Sequence, residues 1–219
     1  MNFRDYDRKF WLVVEKPNSL IRNLIFDIKG NALLCCSYFH IEKGIVFEAL
    51  SPATFINGDY SLNGNVLWDN HDRHIFNKKQ LDGYELIPVN NDAIKHDFLG
   101  FIIMIEDQNY IFRDLTKTRD MLFLDEFRQE DNPDILKGAI FDTEFIENVW
   151  LKIKGLKQAI DENTYLFYCE IMSEPFIAKG IHNGDRTFCF VKQEGDKKVC
   201  GCYVGTQSIE DLRKMLKLI

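Results

Sequence analysis

The feature that most restricts this chain is its punctuation. Short apolar runs alternate with the turn dipeptides Gly30-Asn31, Asn57-Gly58, Asn63-Gly64 and Gly195-Asp196. Such pairs adopt positive φ at little cost, and between apolar runs they mark hairpins. Repeated hairpins with few helices between them predict an α+β protein whose sheet is mainly antiparallel. No internal repeat is present, and neither is G-x-G-x-x-G or G-x-x-x-x-G-K-[ST], so two common phosphate-binding loops are excluded.

Residues 10–14 read as a buried strand that Pro17-Asn18-Ser19 breaks. Leu20, Ile21, Leu24, Ile25 and Ile28 fit one helical face, yet Gly30-Asn31 also suits a turn joining 23–28 to a strand at 33–39. The hairpin is the preferred expectation of the two. Residues 40–50 read as a strand pair or one strand bent at Gly44, 51–80 as loop-rich, and 81–89 as a short strand. Residues 98–105 and 110–114 flank Asp107-Gln108-Asn109 and predict a further hairpin. Residues 118–130 predict a short acidic helix. Phe145, Ile146, Val149, Trp150, Ile153, Leu156 and Ile160 recur at helical spacing and predict one long amphipathic helix over about residues 143–160. A strand at 165–171 and a hairpin pairing 187–191 with 199–204 follow, the latter setting Cys189 opposite Cys202 on one face with Val191 and Cys200. Ser208, with Asp211 three residues on, caps a C-terminal helix. The expected organisation is one α+β domain divisible at about residue 90, with a β-rich lobe at 1–90 and an α+β lobe at 91–219.

Charge narrows the partners. The 219 residues carry 34 acids and 27 bases, a net charge of −7. Most non-specific nucleic-acid affinity comes from neutralising phosphates with a basic face, and this chain has no basic block, so no direct nucleic-acid binding is expected. No apolar run has the length of a spanning helix, and the polar start Met1-Asn2-Phe3-Arg4-Asp5 is no export signal. A cytoplasmic location, no membrane partner and reduced thiols are therefore expected. Residues 106–147 hold 12 acids and 5 bases, an excess equal to that of the whole chain. This stretch is a solvated face that keeps the protein soluble, or a docking surface for a basic partner. Asp120, Asp125, Glu126, Glu130, Asp131 and Asp134 are its candidate contact residues, with Trp68 as a candidate aromatic anchor.

Four constellations could carry chemistry. Asp69, His71, Asp72 and His74 offer two imidazoles and two carboxylates to a metal, in a segment that reads as a polar loop. Asp27-Ile28-Lys29, with Glu15 as a second carboxylate, has the composition of a metal-dependent nuclease core, but also that of an ordinary hairpin end. Cys35 and Cys36 precede His40 but fall mid-strand, where a thiol more often packs as a small apolar group. Cys189, Cys200 and Cys202, with Cys169 or His182, could hold zinc, or they line a sheet core. None of these is a complete catalytic set, and no cofactor is implied.

The order of flavours from Leu81-Asp82-Gly83-Tyr84-Glu85-Leu86-Ile87-Pro88-Val89 to the strand at 165–171 resembles one group of immunity proteins of bacterial polymorphic toxin systems. The likeness runs through the paired runs at 98–115, the acidic Leu124-Asp125-Glu126, Gly138-Ala139-Ile140-Phe141-Asp142 and the stretch expected to be helical. It covers residues 81–171, less than half of the chain, and includes no diagnostic motif. It implies a protein that binds and neutralises a toxin without being an enzyme. With the acid balance, the expectation is an acidic inhibitor of a basic protein partner. The alternative is a metal-dependent hydrolase using Asp69, His71, Asp72 and His74, or Glu15, Asp27 and Lys29.

Overall fold

Strand β1 (Lys9–Val14) shows how the chain uses its apolar runs: Phe10, Leu12 and Val14 enter one core, while Trp11 and Val13 enter another. A strand buried on both faces needs no polar alternation, which is why these runs are continuous. The computed structural model describes residues 2–64, 67, 73–205 and 208–216. The chain divides into two compact units, Met1–Tyr110 and Ile111–Ile219. The division falls after Tyr110 rather than near residue 90, so the helices at 92–110 belong with the first unit.

In the first unit β1 lies between β2 (Ala32–His40) and β6 (Glu85–Val89). Beyond β2 comes β3 (Gly44–Ile56), whose two ends pair with β4 (Asp59–Leu62) and β5 (Ile75–Asn77). All these pairings are antiparallel. One face is covered by α1 (Asp92–Asp97) and α2 (Leu99–Ile111), through Ile94, Phe101 and Ile105 and the intervening Phe98. The other face is closed by Tyr6, Ile21, Ile25, Leu81 and Tyr84. Trp11 Nε1 donates to Ser37 Oγ at 2.7 Å, and Ser37 Oγ donates to the Tyr6 carbonyl at 2.6 Å, so this buried polar chain is satisfied.

Two expectations for this unit are corrected. Leu99–Ile111 is a helix and not part of a hairpin. Continuous apolar runs have no diagnostic period, and here Ile94, Phe98, Phe101 and Ile105 make one helical stripe that the sheet buries. Residues 23–28 are not a strand, because the chain makes a 3-10 turn at Ile21–Asn23 and buries Ile21 and Ile25.

The second unit starts with α3 (Arg113–Arg119), a 3-10 turn at Leu122–Phe127 and the short β7 (Arg128–Gln129). Strands β8 (Asn132–Phe141), β9 (Ile146–Asp161), β10 (Thr164–Ile171), β11 (Arg186–Glu194) and β12 (Lys197–Tyr203) then form an antiparallel meander. β12 returns to pair with β8, closing a barrel. In a five-strand meander the first and last strands run the same way, so this closure must be parallel, as Gly201 opposite Ala139 and Tyr203 opposite Phe141 show. Leu136, Leu151, Phe167, Cys189, Val191 and Cys202 are buried along the inner faces. Helix α4 (Ile209–Leu216) covers Leu166 and Phe190 on the outside. Ser208 caps it: Asp211 N–H donates to Ser208 Oγ, which donates to Asp211 Oδ2 at 2.7 Å.

The long amphipathic helix over 143–160 is the main correction to the expected fold, because these residues form the strand β9. Ile146, Trp150 and Ile160, which a helical stripe would bury, are exposed, while Leu151, outside that stripe, is fully buried. The period that governs the segment is two, set by pairing with β8 and β10. The acidic helix expected at 118–130 is also absent as such: α3 ends at Arg119 and a 3-10 turn follows.

Candidate functional site

Among the described residues, those singled out by sequence do not converge. Trp68, Asp69, His71 and Asp72 lie outside the described residues. His74 is half-buried, and its carbonyl accepts the Ala49 N–H. Glu15 Oε1 accepts the Ile21 N–H at 2.7 Å, so its carboxylate holds a 3-10 turn. Asp27 is exposed with φ 56°, and Lys29 is exposed too. Among the described residues no three His, Cys, Asp or Glu side chains are grouped as a metal would require.

The thiols are inert in a different way. Cys35 and Cys36 are fully buried, and burial, with neighbouring negative charge, pushes both far above the ordinary thiol range. Cys200 and Cys202 line the barrel interior, where burial raises Cys202 to about 12 and Cys200 higher still. Cys169 and Cys189 are joined as a disulfide across β10 and β11, which corrects the expectation that all six thiols are reduced. A neutral buried thiol is a poor nucleophile and packs as a small apolar group.

The acidic segment is partly spent on the fold. Asp134 is buried, and the Arg119 guanidinium grips it with Nε–Oδ1 2.9 Å and Nη2–Oδ2 2.7 Å. It therefore cannot contact a partner. Asp125 pairs with Arg128 at 3.1 Å and Glu126 with Lys198 at 2.7 Å. Asp120 and Glu130 are exposed, and Asp131 is half-buried. A second buried carboxylate, Glu48, accepts from Arg73 Nε at 2.6 Å and from the Tyr38 hydroxyl at 2.8 Å. With Arg73 Nη2 also on Oε2 at 2.5 Å, both of its oxygens are held, so the cluster fixes the segment before β5.

The unusual construction is the loop of residues 172–185 between β10 and β11. Its ends are tied to the barrel: Met172 N–H donates to the Trp150 carbonyl, Ile171 N–H to the Asp185 carbonyl, and Gly184 N–H to the Ile171 carbonyl, each at 2.8 Å. Its middle is held by Glu147 on β9, whose carboxylate accepts three successive backbone N–H groups, from Phe176, Ile177 and Ala178, the last two at 2.9 Å. Desolvation acts to raise the Glu147 carboxyl, but the amides of Ala178, Phe176 and Ile177 together outweigh it and hold it below its ordinary value. Beyond them, Glu174 accepts from Asn183 N–H at 2.8 Å and pairs with His182 Nδ1 at 2.8 Å, and Asp185 Oδ2 accepts the His182 N–H at 2.7 Å.

This bracing presents Phe176 above all. Phe176 is 96% exposed, while Ala178, two residues on, is buried against the barrel. Ile177 is also exposed, and on β9 the exposed Ile146 directly precedes Glu147, with exposed Trp150 three residues beyond it. A fully exposed aromatic on a loop anchored this heavily is a preorganised protrusion, since the ordering cost is met before any partner arrives. The charges of residues 172–185, together with Glu147, are three carboxylates against Lys179 and the titratable His182.

Sequence reasoning did not single out Phe176. The available signal was its place: Pro175-Phe176-Ile177 stands in the polar stretch between the strands expected at 165–171 and 187–191. The role of Glu147 is hidden by the expected helix over 143–160, because a carboxylate near a helix N-terminus already has a favourable place.

The His182–Glu174 contact is expected to make the bracing of the loop pH-dependent. The hydrogen bond and charge of Glu174 raise the His182 pKa, while Asn183 N–H and His182 lower that of Glu174. For His182, a raised folded value means that the brace is complete below the ordinary histidine range, about 6.5, and is lost as pH rises through the raised value. For Glu174, the depressed value means that the brace survives into mild acid and fails as pH falls through it. The expected result is slowest exchange of the Asn183 amide, after correction for intrinsic rates, in the window between the two values, followed by NMR. A flat corrected profile would show that the pair does not hold the loop.

Comparison of the chain with protein-family models, with curated proteins and with solved structures finds no match. Among the described residues no helix is long and apolar enough to cross a membrane.

Proposed function

We propose that this chain is a non-catalytic binding protein that engages a basic protein partner and inserts Phe176 into an apolar pocket of that partner. The observation that carries the reading is the triple amide grip of Glu147, which holds the backbone of a 96% exposed phenylalanine against strand β9. Aromatic anchors of this kind dominate binding energy, and preorganisation reduces its entropic cost. The carboxylates Glu147, Glu174 and Asp185 around the anchor favour a partner with a basic rim. Asp120, Glu130 and Asp131 add long-range steering. A toxin domain is the first partner class to try, in the manner of the immunity proteins that residues 81–171 resemble. Two elements behind that resemblance, at 98–115 and 143–160, are of the other type in the structure, so the reading leans on the loop and its charges.

The test is affinity capture from the source lysate at low salt, comparing the wild type with Phe176→Ala, Phe176→Asp, Glu147→Ala and Phe26→Ala. Phe26 is 93% exposed in the other unit and controls for non-specific stickiness. The expected result is a basic protein released by salt, retained by Phe26→Ala and lost by Phe176→Asp. In direct titration Phe176→Ala should weaken it at least tenfold, the effect of about 1.4 kcal/mol. Triple reversal at Asp120, Glu130 and Asp131 should slow association and flatten its salt dependence. Equal retention by Phe176→Asp would overturn the reading.

A further inference from the structure

A second surface of the barrel complements the exposed anchor. Outside the β8–β12 seam lies a cavity of about 360 Å³, lined by Phe141, Ile146, Phe190, Val199 and Tyr203. Its aromatic wall is ordered: Phe190 and Tyr203 stack with centroids 5.5 Å apart, and Phe141 leans on both at 5.9 and 5.6 Å. A flat, uncharged, apolar group suits such a wall, because aromatic rings pack offset or edge-to-face against one another.

Two observations point to the occupant. The chain itself carries a group of that chemistry, Phe176, on a braced loop, and at 96% exposure it lies outside the cavity of its own copy. Knob and cavity also adjoin along β9: Ile146 lines the cavity, and the next residue, Glu147, grips the Phe176 backbone. With knob and cavity side by side, one two-fold axis can place each copy's knob in the other's cavity, so both contacts form in a single encounter. The charges agree with this. The loop exposes Glu174, Asp185 and Lys179, while Lys197 and Asp142 are exposed at the cavity, so each side offers the other an opposite charge. Phe26, 93% exposed, belongs to the other unit, and no residue of its segment lines the cavity.

We propose that two copies of this chain pair by reciprocal exchange, each seating Phe176 in the aromatic cavity of the other. The inference rests on the reading of Phe176 as a preorganised anchor, and it adds regulation of that site: pairing hides the anchor, and a partner must compete for it. Each copy inserts one aromatic side chain, a burial of about 150–250 Å². That is a small interface, of the size found in weak and reversible pairs, so the equilibrium is expected at micromolar chain concentration.

The experiment has two parts. Sedimentation of the full chain from micromolar to near-millimolar concentration should show the mean mass rising from one chain towards two. Phe176→Asp removes the knob, and Val199→Trp fills the cavity from an exposed position. Each should weaken pairing by about tenfold or more, as loss of an aromatic anchor does. Phe26→Ala should leave pairing unchanged. In the second part, 15N-labelled Phe176→Asp, which keeps the cavity, is titrated with unlabelled Val199→Trp, which keeps the knob. The 1H–15N spectra, which also report that each variant is folded, should show saturable shifts at Phe141, Phe190, Val199 and Tyr203. An unlabelled chain carrying both substitutions should produce none. A chain that stays monomeric, a pair indifferent to Phe176→Asp, or a mixture without these shifts would each overturn the proposal. The two readings of Phe176 fail separately. A monomeric chain whose capture of a basic protein is lost by Phe176→Asp sinks only the pairing. A pair that forms as described, with capture indifferent to Phe176→Asp, sinks only the partner reading.

Discussion

Replacing Asp134 by alanine is expected to destabilise the second unit by about 3–5 kcal/mol, the usual loss when one partner of a buried ion pair is removed. Asp134 is 1% exposed and Arg119 7%, and two hydrogen bonds join them. Removing the carboxylate leaves a guanidinium with little access to water. Arg119 terminates α3, while Asp134 sits near the start of β8, so the pair ties the helix to the barrel. Asp134→Asn should cost less, because one acceptor remains. Asp134→Leu combined with Arg119→Met should recover much of the loss, because the cost lies in a buried charge stripped of its carboxylate and not in missing volume. The measurement is the urea midpoint of each variant, with hydrogen exchange of the two units followed separately. The chain has two units, and a single two-state transition is not assumed. A midpoint unchanged by Asp134→Ala would show that the Arg119–Asp134 pair does not hold the second unit together.

Gly201→Ala is expected to cost about 3 kcal/mol, near the upper end of ordinary overpacking. A Cβ at this position would overlap the Ala139 carbonyl oxygen on the neighbouring strand and the Phe141 ring. The ring could move, but the carbonyl belongs to the parallel pairing that closes the barrel. Gly155 supplies the control. It also lies within a strand, yet a Cβ there meets nothing within 4 Å. Gly155→Ala should therefore be neutral or stabilising by about 0.5–1 kcal/mol through reduced backbone entropy. Opposite signs at the two glycines would separate steric closure from strand propensity. Faster amide exchange at Cys202 and Val204 in Gly201→Ala would locate the damage at the β8–β12 seam, where the Val204 N–H donates to the Phe141 carbonyl. Equal effects at both positions would remove the steric explanation.

The candidate site was less legible than the sheet pairing around it. The acidic stretch at 106–147 is plain in the sequence, but Asp134, Asp125 and Glu126 are held by Arg119, Arg128 and Lys198, one of them from a strand more than seventy residues away. Charge counts do not reveal which carboxylates are spent internally. Phe176 looks like any other of the 18 phenylalanines until Glu147 is seen to grip its backbone from β9. That contact spans 29 residues, so no local pattern announces it.

What the sequence determined by itself were features closed within a few residues. The Gly195-Asp196 turn set the β11–β12 register, with Glu194 opposite Lys197 and Val191 opposite Cys200. Ser208 and Asp211 set the start of α4. In both, the deciding hydrogen bonds join near neighbours, so local chemistry suffices. The tertiary structure alone decided the type of the long apolar runs. Residues 99–111 became a helix because a sheet face needed covering, and residues 146–161 became a strand because β8 and β10 supplied hydrogen bonds on both sides. An apolar run of either kind satisfies its side chains by burial, and only the neighbour available to its backbone selects helix or strand.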